Sequence, residues 1–377
     1  MKKLILCERP YMLYKALLKA LNETDKTIQY DIVLSNHILE MESLYKPLVE
    51  SKIFNKVYYY DDKLYQKYIE NENLSDYTRF PQILWNWPKK LRRYFIYQKY
   101  AKREKKPIGL DFKKYDEILA NDGVSTMNFK LNNEKIYYIT SEHARGNFTI
   151  KIPLHILAVW ITVLLDRLNI IMAYSGMSKY VTTIEVDSNK NLVGYIKKKK
   201  IRVCNIKEME EKLSYEKKDK LYQIYAKAYH LPEKFDKEVN LLLTNPLYDD
   251  KIFSSKKAQI KCYQDAVKEF MDSSMILMVK AHPRDKICYE KVFSNAIIIN
   301  KVITSEVLSC CNSLKFNIVL TALSSSIMAF KSANKRIALG GEYLKKYDEN
   351  LSKNNIKIAD TLVESLKEEK RNCSKKC

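Results

Sequence analysis

The chain has 377 residues, 46% of them hydrophobic and 29% charged, so it can bury a sizeable core, and its length suggests about two domains. Seven glycines and nine prolines are too few for a low-complexity or collagen-like chain, and the eight cysteines include no CxxC pair, which excludes a zinc ribbon. A formal net charge of +21 points to an anionic partner or surface: nucleic acid, phospholipid, or a phosphorylated or acidic sugar substrate.

The amino terminus, MKKLILCERP, is too short in its apolar part for a secretory signal and reads as a first strand. The cytoplasm, with reduced thiols, is therefore the expected location. "KKLILCE" (2–8) is followed by the amphipathic pattern "MLYKALLKAL" (12–21). Further strands are expected at "IQYDIVLSN" (28–36), "KVYYYDD" (56–62), "YDEILANDG" (115–123) and "KIYYITSE" (135–142). Strands alternating with helical stretches predict a parallel, wound α/β sheet over residues 1–150.

The middle of the chain reads differently. "IPLHILAVWITVLL" (152–165) is strongly apolar but shorter than the roughly 20 residues needed to span a bilayer. "WPKKLRRYFIYQKYAKREKK" (87–106) mixes aromatics with a dense basic face, as interfacial helices do, and "IKKKK" (196–200) adds a second basic block. Residues 151–235 are therefore expected to form a helical, basic insertion that contacts a second copy of the chain or an anionic membrane surface.

The strand pattern then restarts over 236–377, with "EVNLLLTNP" (238–246), a helix over 254–271, and "SMILMVKAHP" (274–283). "NAIIIN" (295–300), "NIVLTALSSS" (317–326) and "KRIALGG" (335–341) complete it. Pro283 cannot continue a ladder, so His282 and Arg284 fall at a strand's carboxyl end, where open α/β sheets bind ligands. Asp249 and Asp250 follow another strand in "TNPLYDD", and Asp122 and Gly123 a third in "NDGVST". Ser324, Ser325 and Ser326 bring three hydroxyls to a strand-to-helix turn, which suits an anion site reinforced by a helix dipole and equally suits a helix cap.

These turns carry a resemblance. The ordered set Asn121-Asp122-Gly123, His282-Pro283 and Ser324-Ser325-Ser326, with "LLTNPLYDD", "KAHPRD", "ITSE" (303–306) and "ALSSSIMAFK", resembles the bacterial lipooligosaccharide sialyltransferases of glycosyltransferase family 52. Asn121 stands where that pattern has an acid, which weakens a role for this first position. The resemblance implies a GT-B type fold, two Rossmann-like domains facing a central cleft, with the acceptor on the amino-terminal side. It also implies inverting, metal-independent transfer of sialic acid from CMP-sialic acid to a galactose-containing glycan of lipooligosaccharide or capsule.

By the same resemblance the catalytic base is Asp250 or Asp249, with Asp250 favoured, and His282 supports the departing phosphate. Asn245, His282, Arg284, Glu306, Ser324, Ser325 and Ser326 would bind the donor, and Asp122 and Gly123 would serve the acceptor side or the structure. No cofactor and no metal site is expected. The expected setting is cytoplasmic, peripheral at the inner face of the plasma membrane, with a homodimer in view. A same-fold enzyme using another nucleotide sugar is the alternative. A nucleic-acid-binding protein is the distant one, since no RNP1 pattern, KH loop or Cys/His finger spacing supports it.

Overall fold

A computed structural model describes residues 1–36, 41–60, 110–120, 137–140, 160–161, 163–168, 170, 178–186, 199–232 and 237–374. The chain divides into two compact units, Met1–Ser214 and Tyr215–Cys377.

Among the described residues, the first unit holds seven strands: β1 (Lys2–Cys7), β2 (Gln29–Ser35), β3 (Lys56–Tyr60), β4 (Glu117–Ala120), β5 (Tyr137–Thr140), β6 (Val181–Val186) and β7 (Lys200–Val203). They form one sheet in the order β3-β2-β1-β4-β5-β6-β7, and every pairing is parallel. Leu4 and Leu6 of β1 pack with Val33, Ile118 and Tyr115, and four consecutive β1 residues are buried. Burial of both faces explains why the first strand reads as a continuous apolar run rather than an alternation. Helix α1 (Pro10–Asn22) begins on a proline, whose missing N–H costs nothing in a first turn that has no partner for it. α2 (Tyr45–Ser51) leads into β3, and α3 (Ile206–Glu211) is capped by Asn205, whose side chain accepts from the Lys207 and Glu208 N–H groups. Tyr14 donates to Glu210 at 2.7 Å, tying α1 to α3.

The five strands expected before residue 150 are all present, but the first sheet does not end there. β6 and β7 fall inside the stretch read as an insertion, and the two units part at Ser214 and Tyr215 rather than at 150 and 235. The reason lies in "VTTIEV": five of its six residues are β-branched, and Val181, Thr183, Ile184, Glu185 and Val186 are all buried. Burial of Glu185 is compensated by Lys19 at 2.7 Å. Burial alone would pull the Lys19 ammonium down, but the Glu185 carboxylate and the Cys204 thiol outweigh it and hold it above its ordinary value.

The second unit is a five-stranded parallel sheet in the order β10-β9-β8-β11-β12. Its strands are β8 (Val239–Leu243), β9 (Ile276–Lys280), β10 (Ile297–Ile299), β11 (Phe316–Thr321) and β12 (Lys335–Ala338). Helix α4 (Tyr215–Tyr229) opens the unit, and α5 (Lys256–Phe270), capped by the Ser255 hydroxyl, connects β8 to β9. The short α6 (Ser305–Ser309), α7 (Gly340–Lys345) and the long α8 (Lys353–Ser374) follow. All five residues of β8 are buried, as its central place requires. Because the chain leaves β8 toward β9 on one side while β11 lies on the other, the strand order reverses at β8, and the crevice at the carboxyl ends of β8 and β11 is the switch point where such sheets bind ligands. Two parallel α/β units in one chain are the organisation of the GT-B type.

α7 and α8 pack through a glycine. The Gly341 N–H donates to Asp360 at 2.8 Å, and a Cβ on Gly341 would lie 2.5 Å from Ile356 Cγ2 and 3.1 Å from Ile356 Cα. Gly341→Ala therefore has to push the two helices apart and is expected to cost about 1–3 kcal/mol, read as a lower melting temperature. An unchanged melting temperature would show that α8 shifts freely.

Among the described residues, no helix is long and apolar enough to cross a membrane. The basic stretch 87–106 and residues Asp122 and Gly123 lie outside the described residues.

Candidate active site

Three strand ends meet at the switch point of the second unit. Thr244 and Asn245 follow β8, His282 to Asp285 follow β9, and Ala322 to Ser326 follow β11, with Leu243 in register with both Lys280 and Thr321. Pro246 ends β8, and a tight turn follows in which the Asp250 N–H donates to the Pro246 carbonyl at 2.8 Å. Lys251 takes up a left-handed φ of 57° to close it. That turn carries both expected aspartates.

The two aspartates are held differently. Both carboxylate oxygens of Asp250 accept from the Arg284 guanidinium, Nη1 to Oδ1 and Nη2 to Oδ2 at 3.0 Å. Asp249 accepts the Lys286 N–H through Oδ2 at 3.1 Å and leaves Oδ1 uncommitted among the described residues. Arg284, expected on the donor, thus spends its fork on the candidate base, with its own side chain 66% exposed. A bidentate guanidinium fixes a carboxylate's plane and leaves one lone pair on each oxygen, away from the arginine, to take a proton.

His282 is oriented by its own turn. Its Nδ1 accepts the Arg284 N–H at 3.2 Å, so the neutral ring carries its proton on Nε2 and has a donor to offer there. Burial lowers its pKa, and the Arg284 and Lys280 charges lower it further, while Asp250 and Asp285 oppose them. At neutral pH the imidazole is uncharged.

The serine turn is braced from β8. Asn245 Oδ1 accepts the Leu323 N–H at 2.9 Å, Thr321 Oγ1 donates to the Leu243 carbonyl at 2.8 Å, and the Ser324 N–H donates back to Thr321 Oγ1 at 3.1 Å. Asn245, expected to touch the donor, uses its side-chain oxygen to hold the β11 turn. Ser324 accepts from the Ser326 N–H, which is the capping arrangement; Ser325 is exposed, and Ser326 is half-buried. The helix expected after the serines is a five-residue 3-10 turn, Ser325–Ala329, so no substantial helix dipole reinforces it. Any anion bound there would rest on hydroxyls and individual N–H groups.

Lys280 belongs to this site and was not anticipated, because a lysine closing an apolar strand reads as its solvated end. It is 6% exposed, donates to the Ala281 carbonyl at 3.0 Å, and has its pKa pushed down to about 8 by burial, with Glu306 pulling it up and Lys301 down. Glu306, in the first turn of α6, is therefore the charge partner of a buried cation. Thr244, Gln259 and Asp285 were also missed as site components. Only contacts between segments distant in sequence reveal them.

A carboxylate pair, a neutral histidine and a hydroxyl turn thus lie together at the carboxyl edge of the second unit's parallel sheet. The model of glycosyltransferase family 52 matches residues 113–339, and the chain belongs to that family. A Haemophilus influenzae protein of uncharacterised function is 27% identical over 155 residues, 41% of this chain and 49% of that protein, so the match spans about half the length of that relative. The GT-B domain of a sialyltransferase from Photobacterium damselae is 13% identical with a TM-score of 0.42, covering 96% of this chain and 97% of that one. An α/β-galactoside α-2,3-sialyltransferase from Photobacterium phosphoreum is 13% identical with a TM-score of 0.43, covering 94% and 96%.

Proposed function

We propose that the protein transfers sialic acid from CMP-sialic acid to a galactose-containing surface glycan, lipooligosaccharide or capsule, by a single inverting displacement without a metal. The acceptor hydroxyl attacks the anomeric carbon, the bond from that carbon to the phosphate oxygen breaks, and the bonding pair leaves on the phosphate. The hydroxyl proton passes to Asp250 or Asp249, the carboxylates on the β8 turn. The leaving phosphate gains charge, and His282 Nε2–H and the Ser325 and Ser326 hydroxyls are the donors that meet it. Glu306 would accept from the donor's ribose hydroxyls. The observation that carries the reading is the His282 ring, whose Nδ1 accepts the Arg284 N–H and so leaves Nε2–H as its donor.

The test begins with melting curves in CMP, UDP and GDP. A shift with CMP alone supports the sialyl donor, and a shift with UDP or GDP alone transfers the proposal to another nucleotide sugar. Incubation with CMP-sialic acid and a panel of lactosides, read by mass spectrometry, then shows product or ends the reading.

The proposal extends to a site of work at an anionic membrane surface on the cytoplasmic side. Trp160, Leu164 and Leu168 recur every four residues and are all more than half exposed, while Asp166 beside them is buried and accepts the Lys179 N–H at 2.6 Å. An exposed apolar stripe on a chain of net charge +21 suits anionic lipid, where each basic residue near the surface adds roughly 1 kcal/mol at moderate salt. Replacing all three apolar residues with serine is expected to abolish sedimentation with phosphatidylserine vesicles. Unchanged vesicle binding overturns the membrane proposal. Loss of a dimer in its place assigns the stripe to a second copy.

A further inference from the structure

We propose that the buried Asp285 carboxylate is a positioning residue of the active site, setting His282 through Thr244 and the aspartate-bearing turn through Gln259; this rests on the glycosyltransferase reading of that site. Asp285 and Gln259 are fully buried, and Thr244 nearly so. Asp285 Oδ2 accepts three side-chain donors: Thr244 Oγ1 at 3.0 Å, Gln259 Nε2 at 3.1 Å and the Tyr289 hydroxyl at 2.8 Å. Its Oδ1 accepts the Ile287 N–H at 3.1 Å. These four donors are all neutral, and a buried carboxylate without a salt-bridge partner among the described residues is seldom the most stable way to fill a core.

What such a carboxylate supplies is direction, because it can only accept. The Thr244 hydroxyl must point its proton at Asp285, which leaves a lone pair facing the His282 N–H at 3.4 Å. The Gln259 amide must turn its nitrogen toward Asp285, where it also reaches the Asn245 carbonyl at 3.0 Å. Its oxygen then faces the Tyr248 N–H at 2.7 Å, one residue before Asp249. An ambiguous hydroxyl rotor and an ambiguous amide are thereby each given one orientation. The Asp285 N–H in turn donates to the His282 carbonyl at 2.9 Å and closes the histidine's turn. One buried charge thus reaches the histidine turn, the aspartate turn and Asn245, the brace of the serine turn, while touching none of the reacting atoms.

The test uses the full chain with Thr244→Val, which keeps the shape and removes the hydroxyl, Thr244→Ser, which restores it, and Asp285→Asn. Thr244→Val is expected to lower kcat about 10- to 100-fold with donor KM little changed, as a small displacement of a catalytic group does, and Thr244→Ser to recover most of it. Nitrogen-15 spectra of the His282 ring are expected to lose the single Nε2–H tautomer in the valine variant and regain it in the serine variant. Asp285→Asn should reproduce the valine effect or exceed it; should it fail to fold, the Thr244 pair decides alone. A valine variant that melts earlier yet keeps parental kcat and a parental His282 spectrum makes the network purely structural and overturns the proposal. If the parent does not use CMP-sialic acid, the functional reading falls, and the His282 spectra still decide whether the network orients the ring.

Discussion

Asp250→Asn is expected to abolish transfer, with a loss of about 10²–10⁴ in turnover, and to leave CMP binding nearly intact. The base acts on the acceptor hydroxyl and not on the nucleotide, so the two measurements should separate. Folding does not confuse them, because the pair that is broken joins Asp250 to an arginine whose side chain is 66% exposed, and exposed pairs contribute only about 0–1 kcal/mol. The guanidinium clamp gives the prediction its edge. Arg284 occupies a lone pair on each Asp250 oxygen, whereas Asp249 keeps Oδ1 uncommitted among the described residues, so Asp249 is the rival base. Asp249→Asn inactive beside an active Asp250→Asn would therefore reverse the assignment within the pair. Activity in both variants removes the base from this turn, and Asp122 is the next candidate.

The parts of this molecule that were legible in its sequence are those specified by short-range constraints. β8, β9 and β11 are apolar runs ended by Pro246, Pro283 and the serine turn, and each lies where those residues placed it. Buried strands flanked by breakers admit one reading. β6 was hidden because its threonines and glutamate look solvated until Lys19, from a helix more than 160 residues earlier, is seen to pair with Glu185. The site divides in the same way. His282 and the aspartates could be found from their positions at strand ends. That Arg284 would turn to Asp250, 34 residues back, or that Asn245 would brace Leu323, 78 residues on, depends on the register of β8 with its neighbours, which no local pattern encodes. The length of the turn after the serines was misread for a different reason: "SSSIMAF" has the composition of a helix start, but the backbone closes into a 3-10 turn that ends at Phe330.

His282→Ala is expected to lower kcat by about 10²–10³, the usual cost of one lost transition-state donor, with a much smaller effect on CMP affinity. The asymmetry follows from the charge it meets. In the proposed reaction the leaving phosphate oxygen gains negative charge as the sugar departs, so a hydrogen bond from His282 would be stronger in the transition state than in the bound donor. His282→Gln keeps an amide donor near the Nε2 position and should retain more activity than alanine. The pH dependence is a second signature. The folded-state pKa lies below the ordinary histidine value, so the stability from keeping this ring neutral is complete above about pH 6.5, the unfolded value, and is lost as pH falls through the folded pKa. Protonation places a hydrogen on Nδ1, where the Arg284 N–H already points, and opens the turn that aims the ring. The parent should accordingly show an acid limb in kcat below the ordinary histidine range, and the glutamine variant should lack it. Unchanged turnover in the alanine variant would remove His282 from the mechanism. An acid limb that survives in the glutamine variant would assign that titration to another group, with the β8 aspartates first in line.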